Sequence, residues 1–232
     1  MQTFALPSSL SASTPSTPLT LSLDLPAARV QLIAADRGDA TVEVLPADAA
    51  KGRDAKAAEE VTVALVDGVL RIAAPAARNR VLGSSGAVEV TVQLPSGSRV
   101  EARTAAGALR GVGRLGDVTY ETAQGTVKLD ESGAARLTLL DGDVVVGRLG
   151  GSAEISTQRG DITVTEAVRG TVTLTTQAGG ISVGAAPGVS ASLDAGTSFG
   201  RVHNRLRNSD GAAAPLAIRA TTAYGDITAR SL

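Results

Sequence analysis

Thr157-Gln158-Arg159-Gly160-Asp161-Ile162-Thr163 is one copy of a phrase that this chain states seven times. Its glycine belongs to the register Gly107, Gly125, Gly142, Gly160, Gly179, Gly200 and Gly225, at spacings of 18, 17, 18, 19, 21 and 25. Three residues earlier stands Thr104, Thr122, Thr157, Thr176, Thr197 or Thr222, with Leu139 in the one departing copy. Two residues later stands Leu109, Val127, Val144, Ile162, Ile181, Val202 or Ile227, aliphatic every time. A period near 18 residues marks stacked supersecondary units. No single unit buries its own apolar face, so the pattern predicts a solenoid.

Working back from each glycine by seven and by five gives Val100/Ala102, Val118/Tyr120, Ala135/Leu137, Ala153/Ile155, Val172/Leu174, Leu193/Ala195 and Ile218/Ala220. With the later aliphatic position these make 21 apolar sites in a chain that is 43% hydrophobic. Random agreement would be on the order of 10⁻⁸, so the periodicity is signal. The residues between are mostly polar, and period two is the strand period. Each unit therefore reads as strand, tight turn at the glycine, strand. The turn predicts positive φ at the glycine, which a side chain would penalise. The threonines share the inward parity, so they predict a buried column bonding to one another or to the corner backbone. Gly113-Arg114-Leu115-Gly116, Gly147-Arg148-Leu149-Gly150, Val168-Arg169-Gly170 and Pro187-Gly188 mark the second corner. No strict six-residue period appears, which argues against a left-handed hexapeptide helix. The expected fold is all-β: a right-handed parallel β-solenoid (β-helix) of about seven rungs over residues 96–232, roughly 30 Å long.

Residues 1–95 lack the glycine register but remain rich in strand pattern, and are expected to form a cap or irregular first rungs. Candidate strands are Leu21–Leu25, Arg29–Ala34, Thr41–Leu45, Val61–Val66, Val69–Ala73 and Val88–Leu94. Asp67-Gly68 between two alternating runs is a type I′ hairpin signal. Asp48–Glu60 reads as a short helix or loop, and Pro75–Gly86 as a loop.

Composition bounds the function. A net charge of −1 with no basic run argues against nucleic acid as a partner. Aromatic residues are 2% of the chain, which predicts no stacking platform for bases or sugars. The chain has no cysteine, so disulfides and thiolate metal sites are excluded. The opening Met-Gln-Thr-Phe-Ala-Leu-Pro has neither a positive n-region nor a long apolar run. The expectation is a cytoplasmic protein without membrane insertion.

The phrase Thr-x-x-Gly-Asp-Ile-Thr, together with Leu193-Asp194-Ala195-Gly196-Thr197-x-x-Gly200-x-Val202-x-Asn204, resembles the bacterial putative-adhesin family of β-strand repeats, a domain of unknown function. The likeness is greatest to its soluble actinobacterial branch and includes Val90-x-Val92-x-Leu94-Pro95-x-Gly97-Ser98. The resemblance implies a β-solenoid and carries no catalytic residues to transfer.

Candidate chemistry is sparse. His203 is the single histidine, so no histidine pair exists for a metal. A Ser/His/Asp arrangement with Asp194 lacks a Gly-x-Ser-x-Gly elbow to present a nucleophile. Asp143, Asp161 and Asp226 follow their glycines at equivalent corners. Carboxylates about 5 Å apart suit calcium or acid–base work on polysaccharides. Capping a turn is the commoner role of such aspartates. Ala108, Thr126, Gly180 and Arg201 interrupt any carboxylate ladder, so capping is the expected role here. Arg99, Arg103, Arg110 and Arg114, with Arg148 and Arg169, suit either an anion stripe or a mixed-charge face with Glu101, Glu121 and Glu154. The face is expected, and it is worth little in stability. Neither a dinucleotide fingerprint nor a Walker loop is present.

These readings predict a non-enzymatic scaffold or interaction protein with no catalytic, cofactor or metal site. The alternative is a carbohydrate-binding or carbohydrate-active β-helix using the corner carboxylates. The last repeat, Leu216–Ala220 with Asp226–Ala229, is expected to end the stack with Ile218 and Ile227 on its flank. Cover would come from a homodimer through that C-terminal end, or from the Asn208–Pro215 loop folding back.

Overall fold

The computed structural model describes residues 2–6, 18–74 and 86–232. Ahead of the glycine register lie β1 (Gln2–Leu6), β2 (Thr20–Ala35), β3 (Ala40–Pro46), α1 (Gly52–Glu60), β4 (Thr62–Val66), β5 (Val69–Ala73) and β6 (Val88–Pro95). The register itself begins with β7 (Arg99–Arg114), β8 (Val118–Gln124), β9 (Val127–Ser132), β10 (Ala135–Asp141), β11 (Val144–Leu149) and β12 (Ala153–Arg159). It continues with β13 (Ile162–Ala167), β14 (Gly170–Ala178), β15 (Ile181–Ala185), β16 (Ala191–Phe199), β17 (Val202–Arg205), β18 (Leu216–Tyr224) and β19 (Ile227–Ser231).

Like strands stack on like, in parallel and in register. Val118 lies beside Ala135, Ala135 beside Ala153, and Ala153 beside Val172. After the glycine, Val127, Val144, Ile162 and Ile181 form the matching row. Both rows point into one core that runs the length of the stack and is filled by aliphatic side chains. The protein is the β-solenoid that the period predicts. Tyr120 is the largest wholly buried side chain among the described residues, and it occupies the inward parity its position assigns.

The corner is tighter than turn chemistry alone requires. Gly142 and Gly160 have φ of 143° and 136°, where a side chain is strained. Sterics add a second demand. A Cβ on Gly125 would fall 1.5 Å from the Gly107 carbonyl oxygen, and one on Gly142 would fall 1.7 Å from that of Gly125. From Gly125 onward each corner glycine therefore rests on the carbonyl of the glycine in the neighbouring rung, and Gly107 rests on that of Ala28. The expected positive φ holds at Gly125, Gly142, Gly160, Gly179 and Gly225 and not at Gly107 or Gly200.

The N-terminal region contributes more than a lid. Thr20–Ile33 of β2 pair in parallel with Arg99–Val112 of β7, setting Leu25 beside Thr104 and Ala28 beside Gly107. Leu21, Leu23 and Val30 occupy the inward sites. Residues 20–35 are thus a full rung with Leu25 and Ala28 at the register positions of the threonine and glycine, which hid it from the register. β2 and β7 run through the corner as unbroken strands of 16 residues, unlike the broken rungs that follow. β5 and β6 form the next rung out, against the two halves of β2. Beyond them β4 pairs with β5, β3 with β6 and β1 with β3, all antiparallel. Asp67 and Gly68, at φ of 51° and 76°, make the expected primed hairpin turn. Asp48–Glu60 holds the helix α1, and residues 75–85 of the expected Pro75–Gly86 loop lie outside the described residues.

At the other end the order of rungs in space departs from their order in the chain. β18 pairs with β14 on one side and β16 on the other, and β19 lies between β15 and β17. The C-terminal repeat is therefore inserted below the repeat that precedes it. The expectation that Leu216–Ala229 ends the stack is corrected: Ile218 and Ile227 are buried, and β16 with β17 forms the end. Ala186–Ser190 climbs past one vacant level, and residues 206–215 return to fill it. That detour explains why the last two spacings stretch to 21 and 25.

Candidate functional site

The corner ridge carries the residues from which the sequence suggested chemistry. Asp143 Oδ1 accepts the Asp161 N–H at 2.9 Å, and Asp161 Oδ1 accepts the Gly180 N–H at 2.7 Å. Asp226 Oδ1 accepts the Arg201 N–H at 2.8 Å. Each carboxylate ties its corner to the next rung in space, a structural use of a turn aspartate. Among the described residues no three His, Cys, Asp or Glu side chains gather where a metal ion would sit.

Beneath the ridge runs the threonine column. Thr157 Oγ1 donates to the Gly142 carbonyl at 3.3 Å and to that of Arg159 at 3.0 Å. Thr176 donates to Gly160, Thr222 to Gly179 and Thr197 to Gly225, at 3.0–3.1 Å. Of the two predicted partners, the corner backbone is the usual one. Among the described residues, hydroxyls meet each other only near the start of the column, where Thr104 bonds Thr122 at 3.0 Å and lies 2.8 Å from the Tyr120 phenol. Burial pushes the Tyr120 phenol above its ordinary pKa, against the opposing pull of its bonds to Thr104 and Thr122.

The arginines sit in the mixed-charge face. Arg103 pairs with Glu121 at 2.6 Å, Arg136 with Glu154 at 2.6 Å and Arg110 with Asp130 at 3.1 Å. Arg148 pairs with Glu166, and Arg99 with Glu101 at 3.3 Å. These pairs cross between neighbouring rungs, or for Arg99–Glu101 lie along one strand, and are wholly or partly exposed. Arg169 Nε donates to the Gly150 carbonyl. A shallow open hollow over β8, β10 and β12 is lined by Arg99, Asp117, Arg136 and Glu154, largely the same paired charges.

The end rung differs from the rest. Among the described residues, β16 pairs only with β18, and β17 only with β19. Val202 is 43% exposed where its counterparts are buried. Phe199 and Tyr224, 66% and 60% exposed, stack with centroids 4.9 Å apart and planes 4° from parallel. His203 is exposed on β17 and Asp194 on β16. The return loop folds onto the start of this rung. Ser190 Oγ accepts the N–H groups of Ser209 and Asp210 at 3.1 Å, and Ala191 N–H reaches the Arg207 carbonyl. Leu206 packs against the core beside it.

Residues 55–230 match the family described as Toastrack DUF4097, a domain of unknown function. The chain belongs to that family. Solved structures similar to this Toastrack chain include a putative adhesin of Bacteroides fragilis, 12% identical, covering 98% of this chain and 96% of its own with a TM-score of 0.48. A putative adhesin of Parabacteroides distasonis is 16% identical over 100% of this chain and 95% of its own, with a TM-score of 0.42. A putative cell adhesion protein of Clostridium sporogenes is 12% identical over 100% and 99%, with a TM-score of 0.35. No curated protein matches the chain.

Composition alone missed one surface feature of this Toastrack chain. Few aromatics predicted no stacking platform, yet two of the four pile together in solvent. Both directly precede a register glycine, Gly200 and Gly225, so equivalent positions in adjacent rungs were the signal.

Proposed function

We propose that this Toastrack chain is a non-enzymatic interaction scaffold, an adhesin-like β-solenoid whose end rung and strand faces present side chains to a protein partner. One observation carries the reading: Asp143, Asp161 and Asp226 each spend a carboxylate oxygen on a backbone N–H of the next rung, at 2.7–2.9 Å. A carboxylate pair for glycoside chemistry needs one acid held protonated and a free approach to substrate. The second support is the exposed Phe199–Tyr224 stack with Val202, since clustered exposed apolar groups mark contact surfaces. A panel of polysaccharide lyase and glycosidase substrates tests the enzymatic alternative. No turnover is expected, and turnover abolished by Asp161→Asn would overturn the scaffold reading.

A further inference from the structure

The stack ends on an edge that is built like an interior rung. In the covered rungs the amide two residues after the glycine donates to the next rung. Val144 N–H reaches the Asp161 carbonyl, Ile181 that of Asp226 and Ile227 that of Arg201, all at 2.9 Å. The amide seven before the glycine does the same, from Val100 to Asp117, Val118 to Ala134 and Ala135 to Ser152. In the end rung these two positions are Val202 and Leu193, and the same register turns their donors away from β18 and β19, off the end of the stack. Natural edges are blunted by proline, lysine or inward-pointing charge. Ala191–Phe199 contains no proline and no lysine, and its one charge, Asp194, points outward. The edge is also held from both sides. Residues 186–190 anchor its start, residues 206–215 return from its finish, and the whole C-terminal rung lies beneath it.

Resting on the scaffold reading, we propose that the end rung Ala191–Arg205 is a self-association surface, and that its occupant is the same end of a second copy in a closed two-fold dimer. The surface asks for a partner with two strands, one for β16 and one for β17, flanking an apolar strip to meet Leu193, Ala195 and Val202. A single extended peptide covers one edge and leaves the other open, whereas the end of a second copy supplies both edges and the strip. Charge selects the pairing. The outward ionisable side chains are Asp194 on β16 and His203 and Arg205 on β17. A two-fold that sets β16 against the copy's β17 brings Asp194 to the basic side chains, and one that sets β16 on β16 brings Asp194 to itself. The far end of the stack is built from antiparallel strands, so head-to-tail growth has no matching template. Same-end contact closes the assembly.

Sedimentation velocity from about 1 to 100 µM tests the proposal on the full chain. A dimer is expected, with Phe199→Arg and Val202→Lys each weakening it at least tenfold. Leu140→Lys, exposed near the corner end of β10 several rungs from the end of the stack, should leave it intact. Should both end variants fail to fold, the cysteine-free background offers a second measurement. Chains carrying Asp194→Cys mixed with chains carrying Arg205→Cys should form a disulfide heterodimer under mild oxidation, well ahead of a mixture using Thr138→Cys. A monomer at 100 µM, or a dimer broken only by Leu140→Lys, overturns the proposal. A mixture that crosslinks no faster than its Thr138→Cys control overturns it as well. A monomer would leave the scaffold reading standing, since that reading fails only on turnover.

Discussion

Thr157 shows how one side chain couples two rungs. Its hydroxyl lies within reach of the Gly142 carbonyl of the rung below and the Arg159 carbonyl of its own. Thr157→Val keeps the shape and removes the donor, so chemical denaturation should read a loss of about 1–2 kcal/mol. Thr138→Val, exposed and outward, should read none. Equal midpoints would mean that the column is kept for strand propensity alone, as the native Leu139 is. Tyr120 makes a pH-dependent case. Its phenol has a pKa raised in the folded state by burial, so its stabilising effect is complete below the unfolded value, about 10, and is lost as pH climbs through the folded value. Tyr120→Phe should cost about 1 kcal/mol at neutral pH and flatten the fall in melting temperature between pH 9 and 11. Parallel alkaline limbs for the two proteins would exonerate Tyr120.

At the scale of a strand, parity is the whole of the design. Ile162 opens β13 between Val144 and Ile181, with no exposed surface, while Thr163 beside it faces outward between Val145 and Ser182. Ile162→Asp buries an unpaired carboxylate and should cost about 4 kcal/mol or more. Thr163→Asp should stay within about 0.5 kcal/mol of the parent. Two variants with the same melting temperature would refute this register. The strands themselves were largely legible: the candidates from Thr41 to Leu94 appear within a residue or two of their places, while Leu21–Leu25 and Arg29–Ala34 are one strand, β2, and β1 was not foreseen. What the strand pattern did not carry was membership of a rung. β2 obeys the inward spacing of Leu21, Leu23 and Val30, but Leu25 and Ala28 stand where later rungs have threonine and glycine.

The whole molecule adds the insertion of the C-terminal rung. Ile227 lies wholly buried between Ile181 and Val202, not on an open flank. Ile227→Lys should therefore unfold the end of the stack and cost about 3 kcal/mol or more. Val202→Lys, one rung further out, should keep the fold and its melting temperature within a few degrees. Calorimetry on both separates the two rung orders, because a stack in chain order would make Ile227→Lys the milder change.

The sequence by itself determined the solenoid, the face that each strand buries and the glycine at each corner. These follow from rules that act between neighbours along the chain and from one rung to the next, so a period exposes them. It also showed that the carboxylates sit at turns, where backbone amides are the nearest partners. Only the tertiary structure decided which rung lies on which. Parallel rungs with interchangeable apolar rows pair almost equally well in several orders, so the local pattern of Leu193–Val202 is the same as that of Ile218–Ile227. Connection length and the packing of Ser190 and Leu206 settle that choice. That order leaves β16 and β17, among the described residues, with a partner strand on one edge only and places Phe199 against Tyr224 at the open end.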